Sequence, residues 1–213
     1  MVKAACSVSP VIYLYRVGAL EWLPKLFEEV WMPTVVLEDL LEARFIGYDV
    51  PSPFDLPWVQ YEDPELTVPA AWMSLDLSSG EVAAMSLAFE NRDCVVLLDD
   101  PLARRAARNV GIQYWGTIKI LLQAKEAGLT EKISPYVDKL ARSSLLLSEE
   151  NRQRILALAG ETAPADAPAP ETPAPEAPAE PPAEAVYRSP EAEPPPPPPP
   201  VPEPPKETTD GAH

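Results

Sequence analysis

The residues that could do chemistry in this sequence are carboxylates. Asp99 and Asp100 directly follow an apolar run, residues 94–98, and Glu81 stands just after Ser79-Gly80 at the head of another apolar-patterned segment. Glu38 and Asp39 lie shortly after the Val30-Trp31-Met32-Pro33 stretch, while Ser7 and Ser9 close the first apolar run of the chain. Carboxylates drawn from several elements are what a Mg²⁺ or Mn²⁺ site needs, because these hard cations take oxygen ligands. Each acid also has an ordinary use. Glu81 near a helix start complements the helix dipole, Asp100 before Pro101 is a good N-cap, and Glu38 with Asp39 suits a solvated helix face. Asp99 carries the strongest expectation of chemistry, since an acid directly after a buried parallel strand points at the crevice where such sheets bind ligands.

Other chemistries are narrowed by what is missing. The one histidine is His213, far along a proline-rich stretch, so a rigidly held imidazole for a catalytic triad or a zinc site is not expected. Cys6 and Cys94 sit inside apolar runs and read as buried thiols rather than a disulfide framework. Arg104 and Arg108 share a helix face at i, i+4 and are candidates for steering a phosphate backbone toward the acids. Arg104 is equally placed to pair with Asp100 at the same helix start. Trp31, Trp58 and Trp115 lie in apolar contexts and read as core.

The elements that must hold these side chains alternate between strand and helix. Strands are expected over residues 2–8, 30–32, 58–61, 94–98 and 112–115. Helices are expected from Pro10 through Val17, over 20–27, over 34–44 with Val35, Val36, Leu40 and Leu41 inward, and from Ser78 or Ser79 onward. Further helices should run from Pro101 to Gly111, from Thr117 to Gly128, over 134–142 and from Ser148 to Leu158, with a short one possible over 68–74. Strands separated by helices imply an α/β fold with a central parallel sheet and helices on both faces, a three-layer sandwich.

Composition divides the chain in two. Residues 161–213 hold 19 of the 29 prolines and 11 of the 33 acids, against Arg188 and Lys206 as the only bases. Residues 1–160 are then mildly acidic at −7, from 22 acids and 15 bases, and the tail carries −9. The expectation is one domain over 1–160 and a disordered, acidic tail over 161–213 with polyproline II character, a spacer or a ligand for an aromatic-lined groove. A protein that grips nucleic acid by bulk charge is basic; this one is not, so contact with RNA or DNA must use a local patch or a bound metal. Ala4-Ala5-Cys6 lacks the preceding apolar segment of a lipoprotein signal, and no apolar run approaches bilayer length, so no membrane partner and a cytoplasmic location are expected.

The order of segments resembles a known family. Cys6-Ser7-Val8-Ser9-Pro10-Val11-Ile12 is similar to the opening of VapC-like PIN domains from a prokaryotic branch, where a strand ends in aspartate before Thr-Ser-Pro. Met32-Pro33 through Glu38-Asp39-Leu40, Gly80-Glu81-Val82-Ala83-Ala84-Met85, Leu97-Leu98-Asp99-Asp100 with Arg104 and Ala107, and Gly116-Thr117 resemble the following blocks in order. The resemblance covers the body to about residue 160. It implies a PIN-like metal-dependent endoribonuclease of toxin type, with Glu38, Glu81 and Asp99 as catalytic and metal-ligating residues and Asp100 as a further ligand or cap. It also implies RNA as substrate, a small antitoxin protein as partner, and a homodimer.

Two positions depart from the pattern. The family's first aspartate falls on Ser7, and its second acid in the Gly-Glu block falls on Ala83. A unit charge about 4 Å from another is worth about 4 kcal/mol at an effective dielectric near 20, and roughly twice that beside a divalent ion. A serine hydroxyl can orient water but supplies no charge. The resemblance with these departures implies weakened cleavage, or a degenerate module that binds RNA or a partner protein without cutting.

Overall fold

The computed structural model describes residues 2–65, 72, 74–142 and 147–161. The proline-rich tail from residue 162 onward lies outside the described residues, as does most of the segment read as a short helix over 68–74.

Five strands, β1 (Lys3–Cys6), β2 (Val30–Met32), β3 (Val59–Tyr61), β4 (Cys94–Leu97) and β5 (Tyr114–Trp115), form one sheet in the order β3-β2-β1-β4-β5. Every neighbouring pair is parallel, with Ala5 opposite both Trp31 and Val96. Parallel strands are buried on both faces and therefore need unbroken apolar runs. Along β1 and β4 the side chains alternate accordingly. Ala4, Cys6, Val95 and Leu97 join one core, Ala5, Cys94 and Val96 the other. The first core is closed by α1 (Val8–Val17), α3 (Thr34–Ile46), α6 (Thr117–Glu126), α7 (Ser134–Arg142) and α8 (Glu149–Leu158). The second is closed by α4 (Ser79–Glu90) and α5 (Pro101–Asn109). This is the three-layer α/β architecture expected from the sequence, and both cysteines are buried free thiols.

Three local differences from the sequence reading have plain causes. The first strand stops at Cys6 and the helix begins at Val8, so Ser7 is the hinge between them and Pro10 falls in the first helical turn, where no N–H is required. The segment 20–27 splits into a 3₁₀ turn (Leu20–Trp22) and the short α2 (Leu23–Leu26), because Pro24 has no N–H to give to Leu20 in a continuous helix. The inner stripe of α3 is Val36, Leu40 and Ala43, with Val35 and Leu41 only partly covered. Two helix starts are as read: Ser78 and Glu81 form a reciprocal capping box on α4, and Asp100 caps α5 at the Ala103 amide at 2.8 Å. No helix among the described residues is long and apolar enough to cross a membrane.

The far end of the domain is fastened by one carboxylate. Glu161 accepts from Lys125 Nζ at 2.7 Å and from the Ile133 and Ser134 backbone amides at 2.7 and 3.0 Å, which caps α7 from outside. Burial alone would raise its pKa. The Lys125 ammonium and the donors at Ile133 and Ser134 outweigh that and hold it at about 2, below the ordinary 4.5. A depressed carboxyl stabilises the fold above its unfolded pKa and stops doing so as pH falls through its folded one. Glu161→Gln is expected to cost about 1.5–3 kcal/mol at neutral pH, the range for hydrogen bonds to a charged group. In urea unfolding the gap between variant and parent should stay constant above about pH 5 and shrink as the pH is lowered from there toward 2.

Candidate active site at the carboxyl edge of the sheet

Because all strands run the same way, the residues that leave their carboxyl ends meet along one edge. Ser7 leaves β1, Pro33 leads from β2 into α3, Leu98-Asp99-Asp100 leave β4, and Gly116-Thr117 leave β5. The N-terminus of α4 comes up against this edge. A methyl group at Gly80 would lie 3.0 Å from Val36 Cγ2, 3.5 Å from Val8 Cγ2 and 3.5 Å from Asp39 Oδ2. Glycine is needed there because α1, α3 and α4 approach so closely.

Consecutive residues of the Asp99-Asp100 pair do different things. Asp99 turns inward and its side chain is only 6% exposed. Its Oδ1 accepts from the Thr117 amide at 2.9 Å and from Arg104 Nη2 at 2.8 Å, and its Oδ2 accepts from the Thr117 hydroxyl. Arg104 is held in turn by its Nε, which donates to the Leu98 carbonyl at 2.9 Å. Burial raises the Asp99 pKa, and the Thr117 donors and the Arg104 guanidinium offset only part of that. Asp99 therefore joins β4, α5 and the start of α6. The pairing read for Arg104 from helix spacing, with Asp100, is replaced by this one, since Asp100 is engaged in its cap.

Asp100 stays at the rim. Its charge raises the pKa of Glu81, after burial, which is the larger cause; the Ser78 backbone and hydroxyl bonds pull the other way. Glu81 spends Oε2 on the Ser78 amide at 3.0 Å. On α3 the two neighbouring acids part company. Glu38 is exposed, whereas Asp39 is half-buried toward Gly80, and its carboxyl is pushed up to about 6 by burial first and by Glu42 and Glu38 next. The acids that share the rim are thus Asp39, Glu81 and Asp100. Ser7 lies beneath them, 1% exposed, with its hydroxyl donating to the Leu97 carbonyl at 2.9 Å.

A match to a family model spans residues 4–161, and the model is that of a PIN domain, DUF3368. The chain belongs to the PIN-domain family. No curated protein matches it. In the PIN domain the oxygen donors of Asp39, Glu81 and Asp100 have the right chemistry for a hard cation. Their placement does not fit one, since among the described residues no group of three or more acids, cysteines or histidines gathers closely enough to hold a metal. Asp99 turns toward Thr117 and Arg104, Glu81 and Asp100 cap their own helices, and Ser7 brings no carboxylate.

Sequence reading placed Asp99 and Glu38 in the candidate site and gave Asp39 no role of its own. The signal for Asp39 was present in the helical period: it is three residues after Val36 and four before Ala43, on the inward stripe, and Glu38 is not. Thr117 and Gly116 had a weaker signal, a Gly-Thr pair opening a helix after the last strand. Arg108 is exposed, donates to the Tyr114 hydroxyl and lies over that ring at 5.6 Å from the centroid.

Two measurements follow from this geometry. A methyl group at Gly116 would collide with the Arg104 guanidinium and sit 3.1 Å from Asp99 Oδ1. Gly116→Ala should therefore break the Asp99 clamp and lower unfolding free energy by about 1–3 kcal/mol, the usual cost of overpacking. Asp39 has the opposite sign from Glu161. A carboxyl whose folded pKa is raised costs stability once pH exceeds the unfolded value, so Asp39→Asn should stabilise the domain at pH 7 and give no gain below pH 3.8, its ordinary value. Paired urea titrations at the two pH values test this.

Proposed function

We propose that this PIN domain is a catalytically degenerate module of the VapC-like ribonuclease type, one that engages RNA without the metal-dependent cleavage of that type. The carrying observation is the state of the two positions that matter most for charge. Ser7 is buried and donates to the Leu97 carbonyl, and the Asp99 carboxylate is bonded to Thr117 and Arg104. Ser7 brings no charge to a cation, and the Asp99 charge is already compensated by Arg104, so both positions attract a divalent ion less than two free carboxylates would.

RNA contact on this reading uses the β5 side rather than the acidic rim. Arg105, Arg108 and Lys119 are exposed there, with Arg108 over Tyr114 and Lys119 over Trp115 at 4.6 Å from the centroid. Guanidinium and ammonium groups beside aromatic rings suit a sugar-phosphate strand, and so few phosphate contacts give a shallow salt dependence. The protein partners expected of the type are a small antitoxin and a second copy of the chain, and the expected compartment is the cytoplasm.

A second reading is favoured by the rim itself. Burial raises the pKa values of Asp39 and Glu81, Glu42 and Glu38 add to it at Asp39 and Asp100 adds to it at Glu81, and a divalent ion drawing the three side chains together at millimolar concentration would offset that cost. The domain would then be a slow metal-dependent endoribonuclease, with Mg²⁺ or Mn²⁺ as cofactor.

A ribonuclease assay on the full chain with Mn²⁺ against EDTA separates the two. The degenerate module gives no Mn²⁺-dependent products, and Ser7→Asp creates them. That variant should also melt lower than the parent in EDTA and regain stability with Mn²⁺, because a buried aspartate without a cation is costly. Mn²⁺-dependent cutting by the parent, abolished by Asp39→Asn, would instead establish the slow nuclease.

A further inference from the structure

A groove of about 590 Å³ lies on the side of the domain away from the rim, lined by Val17, Gly18, Thr130, Glu131, Lys132, Pro135, Tyr136 and Lys139. Lys132 and Lys139 are exposed and make no ion pair with a described residue, while Glu131 is the one acid in the lining. The floor is firm. Tyr136 packs on Trp22 with centroids 4.7 Å apart, and Val17 is buried. Two lysines over a tyrosine and a proline make a surface for an acidic, proline-bearing strand.

The chain supplies such a strand at the edge of this groove. Glu161 is bonded to the Ile133 and Ser134 amides, so residue 162 starts within a residue or two of Lys132 and Pro135. The sequence from there reads Thr-Ala-Pro-Ala-Asp-Ala-Pro-Ala-Pro-Glu, through Glu171. With three residues per polyproline II turn, Pro164, Ala167 and Pro170 fall on one face, and Asp166 and Glu171 fall on the two flanking faces. Apolar prolines would meet Tyr136 and Pro135 while the acids meet the lysines. The tether makes the local concentration high without any large intrinsic affinity.

We propose that residues 162–171 of the same chain dock in the groove formed by Val17, Lys132, Pro135, Tyr136 and Lys139, through proline–tyrosine packing and pairing of Asp166 and Glu171 with the two lysines.

The test uses the full chain, ¹⁵N-labelled, with a nitroxide on Ala174→Cys. Cys6 and Cys94 are buried at 0% and 3% exposure, so the added thiol takes the label. Docking broadens the amides of Gly18 and of residues 130–134 and 136–139. It loses that broadening in Lys132→Glu/Lys139→Glu and, in the parent, as salt is raised past the point where the Debye length falls to about 3 Å. Unchanged β4 and α4 resonances report that the double variant is folded. Equal broadening in parent and variant, or broadening that only decays with distance from Glu161 and ignores salt, overturns the proposal. A mixture of ¹⁵N unlabelled and ¹⁴N spin-labelled chains that shows the same broadening also overturns it, by assigning the groove to the tail of a second copy.

Discussion

A carboxylate buried at the end of a central strand must find donors, and at Asp99 that requirement organises the carboxyl edge of the sheet. The donors come from two directions, the Arg104 guanidinium one turn into α5 and the Thr117 amide and hydroxyl at the first residue of α6. Arg104 reaches because Gly116 has no side chain in its path, and it stays because the Leu98 carbonyl holds Nε. Losing any one member would leave a buried charge or carbonyl unpaired, which costs more than the bond itself is worth. The same clamp fixes Asp100. Once Asp99 points inward, the next residue is turned outward, and Pro101 starts the helix that Asp100 caps.

The rim that results is a place where like charges are kept close, with capping bonds as their main compensation. Glu81 and Asp100 each hold a helix N-terminus, a favourable position for a carboxylate, and that is why burial and mutual repulsion do not simply expel them. The Asp39 carboxyl is the one displaced to about 6, by burial first and then by Glu42 and Glu38. A further aspartate at position 7, under these three, would add charge at a site 1% exposed. Serine there needs no cation. It donates to the Leu97 carbonyl at 2.9 Å, tying the β1–α1 hinge to β4.

Much of this was legible in the residues. The uninterrupted apolar runs at β1 and β4 required a sheet covered twice, and Pro101, Ser78 and the Gly-Thr pair at 116–117 marked helix starts that the structure has, while the helix read from Pro10 begins two residues earlier at Val8. The family resemblance, read from five blocks in order, agrees with the match over residues 4–161. What was not legible concerned direction. The periodicity of a strand gives which face a residue takes, but Asp99 lies just past the strand, where one residue of slippage exchanges inward for outward. Whether it or Asp100 faced solvent depended on Thr117, 18 residues away in sequence, and on a glycine clearing the path for an arginine. On α3 the stripe through Val36, Leu40 and Ala43 brings Asp39 inward, whereas the wider stripe expected from the sequence, which included Val35 and Leu41, left Glu38 equally eligible.

That division of labour also decides which residues can report on chemistry. Asp99→Asn, the natural loss-of-function change from sequence alone, removes a charge from a buried ion pair and so conflates cleavage with folding. Glu81 and Asp100 are better placed but each caps a helix, and truncating a cap costs about 0.5–2 kcal/mol before any catalytic role is considered. Burial and the neighbouring Glu42 and Glu38 make the Asp39 charge unfavourable, so Asp39→Asn is expected to leave the domain folded while it tests the rim. Position 7 is the complementary probe, since adding charge there weakens the protein unless a cation arrives. A gain of cleavage together with a loss of stability in EDTA is the paired outcome that a rebuilt site predicts.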